Sequence, residues 1–257
     1  MPLPRFRARF RPVLPIGDRN PTRTTPFVNY CLLALNLAVY AWQFSVSSRG
    51  GDAWLVPGYG LVPARLTGDP LGEVFTVFTS MFMHGNFAHL GGNMLFLYIF
   101  GDNVEDSVGH ARYVLFYVLA GIGAAAAQVL TDPGSQVPMV GASGAIAGVL
   151  GAYMVLHPRA PITVLNPPPL AFFIGFFIEV PAWLVIGGWF VIQLLSGVGS
   201  LGGGESGGVA FFAHVGGFLT GLLLVRPLHA GRPRQRRDDW SGWHPPERAS
   251  APRRRWN

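Results

Sequence analysis

The chain has 257 residues, of which 50% are hydrophobic and only 12% are charged, and its mean hydropathy is +0.35. Soluble domains usually carry about 25% charged residues. The composition therefore excludes an ordinary soluble globular protein and predicts a membrane protein built as one helical bundle.

The net charge of +6 rests on arginine alone and is concentrated at the two ends of the sequence. Of the 19 basic residues, 15 lie before residue 27 or after residue 225. Basic tails can bind nucleic acid, but these tails flank apolar runs, so we interpret them as a topology signal and expect no nucleic-acid partner. By the positive-inside rule both termini are then cytoplasmic. The absence of lysine is typical of a high-GC bacterium, so the expected location is the bacterial inner membrane.

The apolar runs predict six transmembrane helices, over residues 27–46, 87–101, 113–130, 142–157, 180–201 and 209–225. A span needs about 17–25 apolar residues, so the second and fourth are short. The expected fold class is an all-α polytopic membrane protein. Its first outer loop, residues 47–79, mixes prolines with apolar side chains and is expected to lie partly in the membrane. The single cysteine, Cys31, is expected in the core.

Three regions follow from these runs. Residues 1–26 form an Arg/Pro-rich cytoplasmic segment, residues 27–225 form the membrane domain, and residues 226–257 form a basic tail that is expected to be disordered. The stretches 102–112 and 158–165 are expected to be cytoplasmic loops.

Polar residues inside apolar spans are costly, so they mark candidate functional sites. One cluster holds His84, Asn86, His89 and Asn93, a second is Gly141-Ala-Ser143-Gly144, and a third holds His214, Gly217 and Gly221. Helical rise allows their depths to be compared. With a hydrocarbon core of ~30 Å, Ser143, His214 and His89 lie ~9, ~8 and ~10 Å below its outer boundary. Three separate segments therefore reach one depth.

A serine hydroxyl needs an adjacent base, and His214 is the histidine within the last spans. Acidic residues near that depth are missing, since Asp132, Glu179 and Glu205 fall in loops or beside a proline, so we expect a Ser143–His214 dyad. The two helices are expected to approach closely through small residues, with Ser143, Ala147 and Gly151 facing His214, Gly217 and Gly221.

Acyl transfer also needs donors for the developing oxyanion. His89 and Asn93 share one helix face, and the Ser143 backbone N–H at a helix start is a third donor. His84 falls on a different face from His89 and Asn93, and we expect it to support the site from the loop. Asn86, Gly141 and Gly144 are also expected to be supporting residues. No metal or cofactor is expected.

Each cluster also has a simpler interpretation on its own. The Gly-Ala-Ser-Gly stretch could be a helix-packing ridge, His214 a buried histidine with a satisfied ring, and Asn93 an interhelical amide. Their occurrence together at one depth favours a catalytic site.

The same residues resemble the rhomboid family of intramembrane serine proteases. The resemblance rests on the pattern His84, His89 and Asn93, on Gly141-x-Ser143-Gly144, and on Ala213-His214-x-x-Gly217-x-x-x-Gly221, and it covers residues 27–225. It implies a six-helix bundle with Ser143 at the base of a water-filled cavity, single-pass membrane substrates cut near the outer face, His214 as general base and acid, and His89 and Asn93 as oxyanion donors. It also implies that the first outer loop and the fifth span gate access.

Two other functions compete with the protease. One is a catalytically inactive rhomboid-like protein that binds membrane helices as a chaperone or trafficking factor. The other is a small-solute channel or transporter lined by His84, His89, Asn93 and His214.

Overall fold

The computed structural model describes residues 14–166, 168, 170–200 and 210–231. The predictions for the arginine-rich ends of the sequence and for Glu205 therefore lie wholly or partly outside the described residues. The elements in chain order are β1 Leu14–Asp18, α1 Phe27–Ser47, α2 Asp52–Tyr59, α3 Pro63–Gly68, α4 Pro70–Glu73, α5 Thr76–Thr79, α6 Phe87–Val108, α7 His110–Thr131, α8 Ser143–Leu156, β2 Pro161–Leu165, α9 Leu170–Ile174, β3 Phe177–Pro181, α10 Ala182–Ser200 and α11 Phe211–His229.

Four of the described helices are long and apolar enough to cross a membrane, namely α1, α7, α10 and α11. The fourth predicted span corresponds to α8, which is apolar but has only 14 residues. The second corresponds to α6, which is 22 residues long but ends in three carboxylates, Asp102, Glu105 and Asp106. The predicted helices are thus present, while length and composition alone support four spans.

Helix α8 is the centre of the bundle. Every residue from Gly144 to Tyr153 is buried, and α8 packs against α6, α7 and α11. Close contact is possible because glycines line its interface with α11. A Cβ built on Gly217 would overlap the Gly144 carbonyl oxygen, and one on Gly221 would overlap that of Gly148.

That interface adds one detail to the predicted packing. The prediction gave Ser143, Ala147 and Gly151 as the row of α8 that faces α11. Ser143 and Gly151 do lie against α11. The closest backbone contacts, however, are made by Gly144 and Gly148, which the prediction did not place in that row.

The stretch predicted as a cytoplasmic loop at 102–112 is helical almost throughout. Helix α6 continues to Val108, and only Gly109, at φ +87°, separates it from α7. The carboxylates explain the extension, because they are partnered. Glu105 is fully buried and accepts hydrogen bonds from the backbone N–H groups of Val28 and Asn29 at the start of α1, at 3.0 and 2.7 Å. The N-terminus of a helix favours a negatively charged partner. Glu105 therefore stabilises the packing of α6 against the start of α1, and α6 continues as a helix through its charged residues.

The prediction of an all-α fold is wrong in one respect, since the described residues include a small antiparallel sheet in the order β1-β2-β3. Strand β2 occupies most of the stretch predicted as a loop at 158–165, and it pairs with β3 from Pro161↔Pro181 to Leu165↔Phe177. Strand β1 lies within the predicted N-terminal segment. The short strands have no clear hydropathy pattern in the sequence, because their burial depends on pairing with distant segments. The paired residues of β1 and β2 are more than 140 positions apart in the sequence.

Two further expectations concern the surface. The first outer loop contains α2 to α5 and buries Leu55, Leu61 and Val62, whereas its embedding in the membrane stays a prediction. Cys31 was expected in the core, but it lies exposed on α1. An exposed apolar helix face in a membrane protein meets lipid, so burial in protein is not needed to accommodate this thiol.

Candidate active site

A cavity of about 620 Å³ opens between α6, α7, α8, α10 and α11. Its lining includes Ser143, His214, His89 and Asn93, together with Gly141 and Gly144. The three polar clusters, which are separated by up to 130 residues of sequence, therefore share one cavity. Within the described ranges, no group of three histidine, cysteine or acidic side chains is arranged to bind a metal ion.

Ser143 is the first residue of α8, and His214 lies in the first turn of α11. The Oγ atom of Ser143 is 2.8 Å from Nε2 of His214, which is hydrogen-bond distance. This contact is allowed by the glycine-lined interface beside it, because a side chain at Gly217 would overlap the Gly144 carbonyl oxygen and separate the two helix starts.

The other ring nitrogen of His214 also has a partner. Its Nδ1 is 2.7 Å from Oε1 of Gln193 on α10, and the ring of Trp189 lies 5.8 Å from the imidazole, centroid to centroid. Neither residue was predicted to belong to the site. Gln193 is the one amide side chain in the apolar helix α10, so the rule that polar residues in spans are functional candidates would have found it.

The first cluster is held together by hydrogen bonds at the start of α6. The Asn86 side chain caps α6 by accepting from the His89 backbone N–H at 2.8 Å. The Asn93 Nδ2 atom lies 2.9 Å from Nε2 of His84, whose Nδ1 lies 3.2 Å from the carbonyl oxygen of Phe82. Since a carbonyl only accepts, Nδ1 of His84 carries the proton and Nε2 accepts from Asn93. One N–H of Asn93 remains for another acceptor.

The loop that carries His84 is fixed from α1. Gln43 donates to the His84 carbonyl oxygen at 2.6 Å and accepts from its backbone N–H at 3.1 Å. His84 is fully buried as a result. The prediction placed it on another face from His89 and Asn93 in a general supporting role; the structure gives it a direct contact with the Asn93 amide, because the chain turns at residues 80–86 before α6 begins.

Gly141 has a positive φ of 127°, a conformation that favours glycine. A Cβ built there would lie 2.7 Å from the His89 ring and 3.5 Å from Nδ2 of Asn93. The site therefore needs glycine for its backbone conformation and for its space. Its backbone N–H donates to the Ser80 carbonyl oxygen at 2.8 Å, which holds the segment before Ser143 against the His84 loop.

A family model described as the Rhomboid domain matches residues 71–231. The chain belongs to the rhomboid family. The match includes all three clusters and every helix of the cavity, and it begins after α1, whereas the resemblance in the sequence was traced from residue 27.

Curated rhomboid relatives align over different shares of their length. The "Putative rhomboid protease YdcA" of Bacillus subtilis is 30% identical over 187 residues, which are 67% of this chain and 89% of that protein. The "Rhomboid protease AarA" of Providencia stuartii is 29% identical over 214 residues, 75% of this chain and 69% of that protein. "RHOMBOID-like protein 5" of Arabidopsis thaliana is 37% identical over 83 residues, 32% of this chain and only 27% of that protein.

These findings identify an integral, multi-pass membrane protein of the rhomboid family with relatives that are named as proteases. The chain spans about a quarter of the Arabidopsis relative, so the activities of whole rhomboid relatives do not transfer to it by similarity alone.

Proposed function

We propose that this chain is an intramembrane serine endopeptidase that hydrolyses peptide bonds in or near the transmembrane helices of membrane-protein substrates. The observation that carries the proposal is the 2.8 Å contact between Ser143 Oγ and His214 Nε2 inside the cavity. A serine hydroxyl beside a neutral imidazole is the arrangement of an activated nucleophile.

The reaction follows from that contact. His214 Nε2 removes the proton of Ser143 as Oγ attacks the substrate carbonyl carbon, and a tetrahedral oxyanion forms. The second N–H of Asn93, the His89 ring and the Ser143 backbone N–H serve as its donors in this proposal, which is supported by the fact that all three residues line the same cavity. His214 then protonates the leaving amine, and water releases the acyl group from Ser143 by the same steps in reverse order.

The proposal includes the membrane arrangement. Residues 27–225 form six spans, α1, α6, α7, α8, α10 and α11, with residues 1–26 and 226–257 in the cytoplasm of a bacterial cell. Helices α6 and α8 cross although they are short or partly charged, because α8 is surrounded by protein and the carboxylates of α6 lie at its inner end. The substrate is a membrane helix, and no cofactor takes part.

The test uses the purified protein in liposomes with a model single-pass substrate. Wild type is expected to cleave, and Ser143→Ala and His214→Ala are each expected to lose at least about 10³-fold in rate. Ser45→Ala on α1, outside the cavity, is the matched control and should keep wild-type activity. A fluorophosphonate probe should label wild type and fail to label Ser143→Ala.

The inactive helix-binding alternative predicts a different result. Wild type would bind the substrate with the same affinity as Ser143→Ala and cleave it no faster. Solute flux through the liposomes that is unchanged in Ser143→Ala would instead favour the channel.

A further inference from the structure

The imidazole of His214 is oriented by a helix other than its own. Gln193 and Trp189 both lie on α10, four residues apart and therefore on one helix face. Gln193 Oε1 is 2.7 Å from His214 Nδ1, and the Trp189 ring is tilted by 40° to the imidazole at 5.8 Å. Together the two side chains hold the edge and one side of the ring.

The contact with Gln193 decides which nitrogen carries the proton. An amide oxygen only accepts, so His214 Nδ1 must be the N–H nitrogen. In the neutral ring Nε2 then presents its lone pair to Ser143 Oγ, 2.8 Å away. The opposite tautomer would direct an N–H at the hydroxyl and leave nothing to accept its proton.

The other groups around the ring do not supply this control. His89 on α6 lines the same cavity as His214, and Ser143 comes from α8. In the ranges that the structure describes, no carboxylate contacts the imidazole. Gln193 is not among the described residues that line the cavity, and it contacts the ring nitrogen of His214 opposite to the one that faces Ser143.

We propose that Gln193 is a positioning residue, which accepts the Nδ1–H of His214 and so holds the imidazole in its base-competent tautomer. The inference rests on the proposed protease function. It assigns to a neutral amide the task that a buried carboxylate performs in a Ser-His-Asp triad. A neutral acceptor fits the site, because an unpaired carboxylate on an apolar helix would be costly.

The experiment measures kcat, KM and the pH profile of cleavage in liposomes for Gln193→Leu and Gln193→Glu. Leu195→Ala, on α10 but 66% exposed, is the matched control. Gln193→Leu is expected to lower kcat about tenfold or more with KM within about twofold, since it weakens general-base catalysis without touching the substrate. The control should retain wild-type values.

Gln193→Glu separates positioning from packing. A carboxylate also accepts the Nδ1–H, but its charge stabilises the protonated imidazolium. The acid limb of kcat/KM should therefore move up by about one pH unit, with near-wild-type activity on the alkaline side. Equal losses in both variants with a wild-type pH profile, or no loss in Gln193→Leu, would overturn the inference.

The ¹⁵N chemical shifts of the His214 ring test the tautomer without any turnover. Wild type should show the Nδ1–H form, and Gln193→Leu a mixture of both forms. A wild type in the Nε2–H form would refute the role of Gln193 even if the protein cleaves. Conversely, a wild type that does not cleave but shows the Nδ1–H form would contradict the protease function and leave the contact intact.

Discussion

At the scale of single residues, the candidate site is built from neutral hydrogen-bonding pairs. Gln193 contacts the proposed base His214, His84 contacts the proposed oxyanion donor Asn93, and Gln43 fixes the His84 backbone. Burying an ion costs several kcal/mol unless it is well paired. Amides and neutral imidazoles can orient one another inside a membrane protein without that cost, which explains why acidic side chains are not needed at this depth.

The contact between His84 and Asn93 gives a prediction at this scale. His84→Phe removes the acceptor for the Asn93 amide and should lower kcat about tenfold, while Asn93→Ala, which deletes an oxyanion donor, should lower it about 10²-fold. Because His84 acts through Asn93, the double variant should be no slower than Asn93→Ala alone. Cleavage rates in a double-mutant cycle measure this, and losses that multiply would contradict it.

At the scale of elements, the contact between α8 and α11 sets the geometry of the dyad. Gly144 and Gly217 let the two backbones approach within reach of a Ser–His hydrogen bond, and Gly148 and Gly221 repeat the contact one turn on. Small residues are the usual means of close helix approach in membranes. Ser143 and His214 are thus held together by glycines that are not themselves candidates for any chemical role.

Gly217→Val tests this placement. Its side chain would overlap the Gly144 carbonyl oxygen, so α11 must shift, and a shift of about 1 Å can cost ~10²-fold in rate. We expect lost cleavage and a free energy of unfolding lower by about 1–3 kcal/mol. Gly91→Ala on α6, where an added Cβ meets nothing within 4 Å, is the matched control and should leave cleavage and thermal stability unchanged. Wild-type turnover in Gly217→Val would show that the contact is dispensable.

Strand β1 carries a second element-scale prediction. Asp18 is the last residue of this strand. Its Oδ2 atom is 2.5 Å from the Tyr153 hydroxyl oxygen and 3.2 Å from Nδ2 of Asn103. Burial raises the pKa of the Asp18 carboxyl from its ordinary value of 3.8 to about 7; the hydrogen bond from Tyr153 opposes this rise, and the charge of Asp102 adds to it.

The sign of the effect follows from linkage. Between about pH 4 and pH 7 the carboxyl ionises when β1 is detached but stays protonated when β1 is docked, so docking weakens as pH rises through that window and is constant above it. Hydrogen exchange of the β1 amides, corrected for intrinsic rates, should show the loss of protection. Asp18→Asn should abolish the pH dependence, whereas Asp132→Asn, at the exposed end of α7, should keep it. Equal protection of wild type at pH 4.5 and pH 8 would contradict the prediction.

At the scale of the whole molecule, the bilayer explains the unusual surface. Large apolar side chains are exposed along α1, α10 and α11, including Leu195 at 66% and Leu223 at 76%. Such a surface would aggregate in water but suits a protein surrounded by lipid. The arginine bias predicts the direction in which the bundle is inserted, with both termini in the cytoplasm.

Single cysteines test that direction. In a Cys31→Ser background, Leu71→Cys lies in the first outer loop and Arg159→Cys follows α8; both positions are exposed. A membrane-impermeant maleimide added to intact spheroplasts should label Leu71→Cys and label Arg159→Cys only after lysis. The reverse pattern would invert the proposed topology, and labelling of both without lysis would contradict the six-span arrangement.

The sequence by itself determined the class of the molecule and pointed to the residues that could carry its chemistry. Apolar runs located the long apolar helices to within about four residues, because hydropathy acts locally, although α6 continues seven residues past its predicted end. The common depth of Ser143, His214 and His89 in the bilayer stays a prediction from helical rise. The motifs also gave the family, which the match over residues 71–231 confirms. The catalytic roles of these residues stay predictions.

Only the tertiary structure decided the contacts between segments that are distant in sequence. In the folded protein His214 contacts Gln193, and Asn93 contacts His84. Glu105 accepts hydrogen bonds from the start of α1, and β1, β2 and β3 form a sheet. Each of these contacts depends on which faces of two elements meet, as does the close approach of α8 to α11 at Gly144 and Gly148. Local hydropathy carries no information on such pairings of faces, because it depends on the residues within one segment and not on those packed against it.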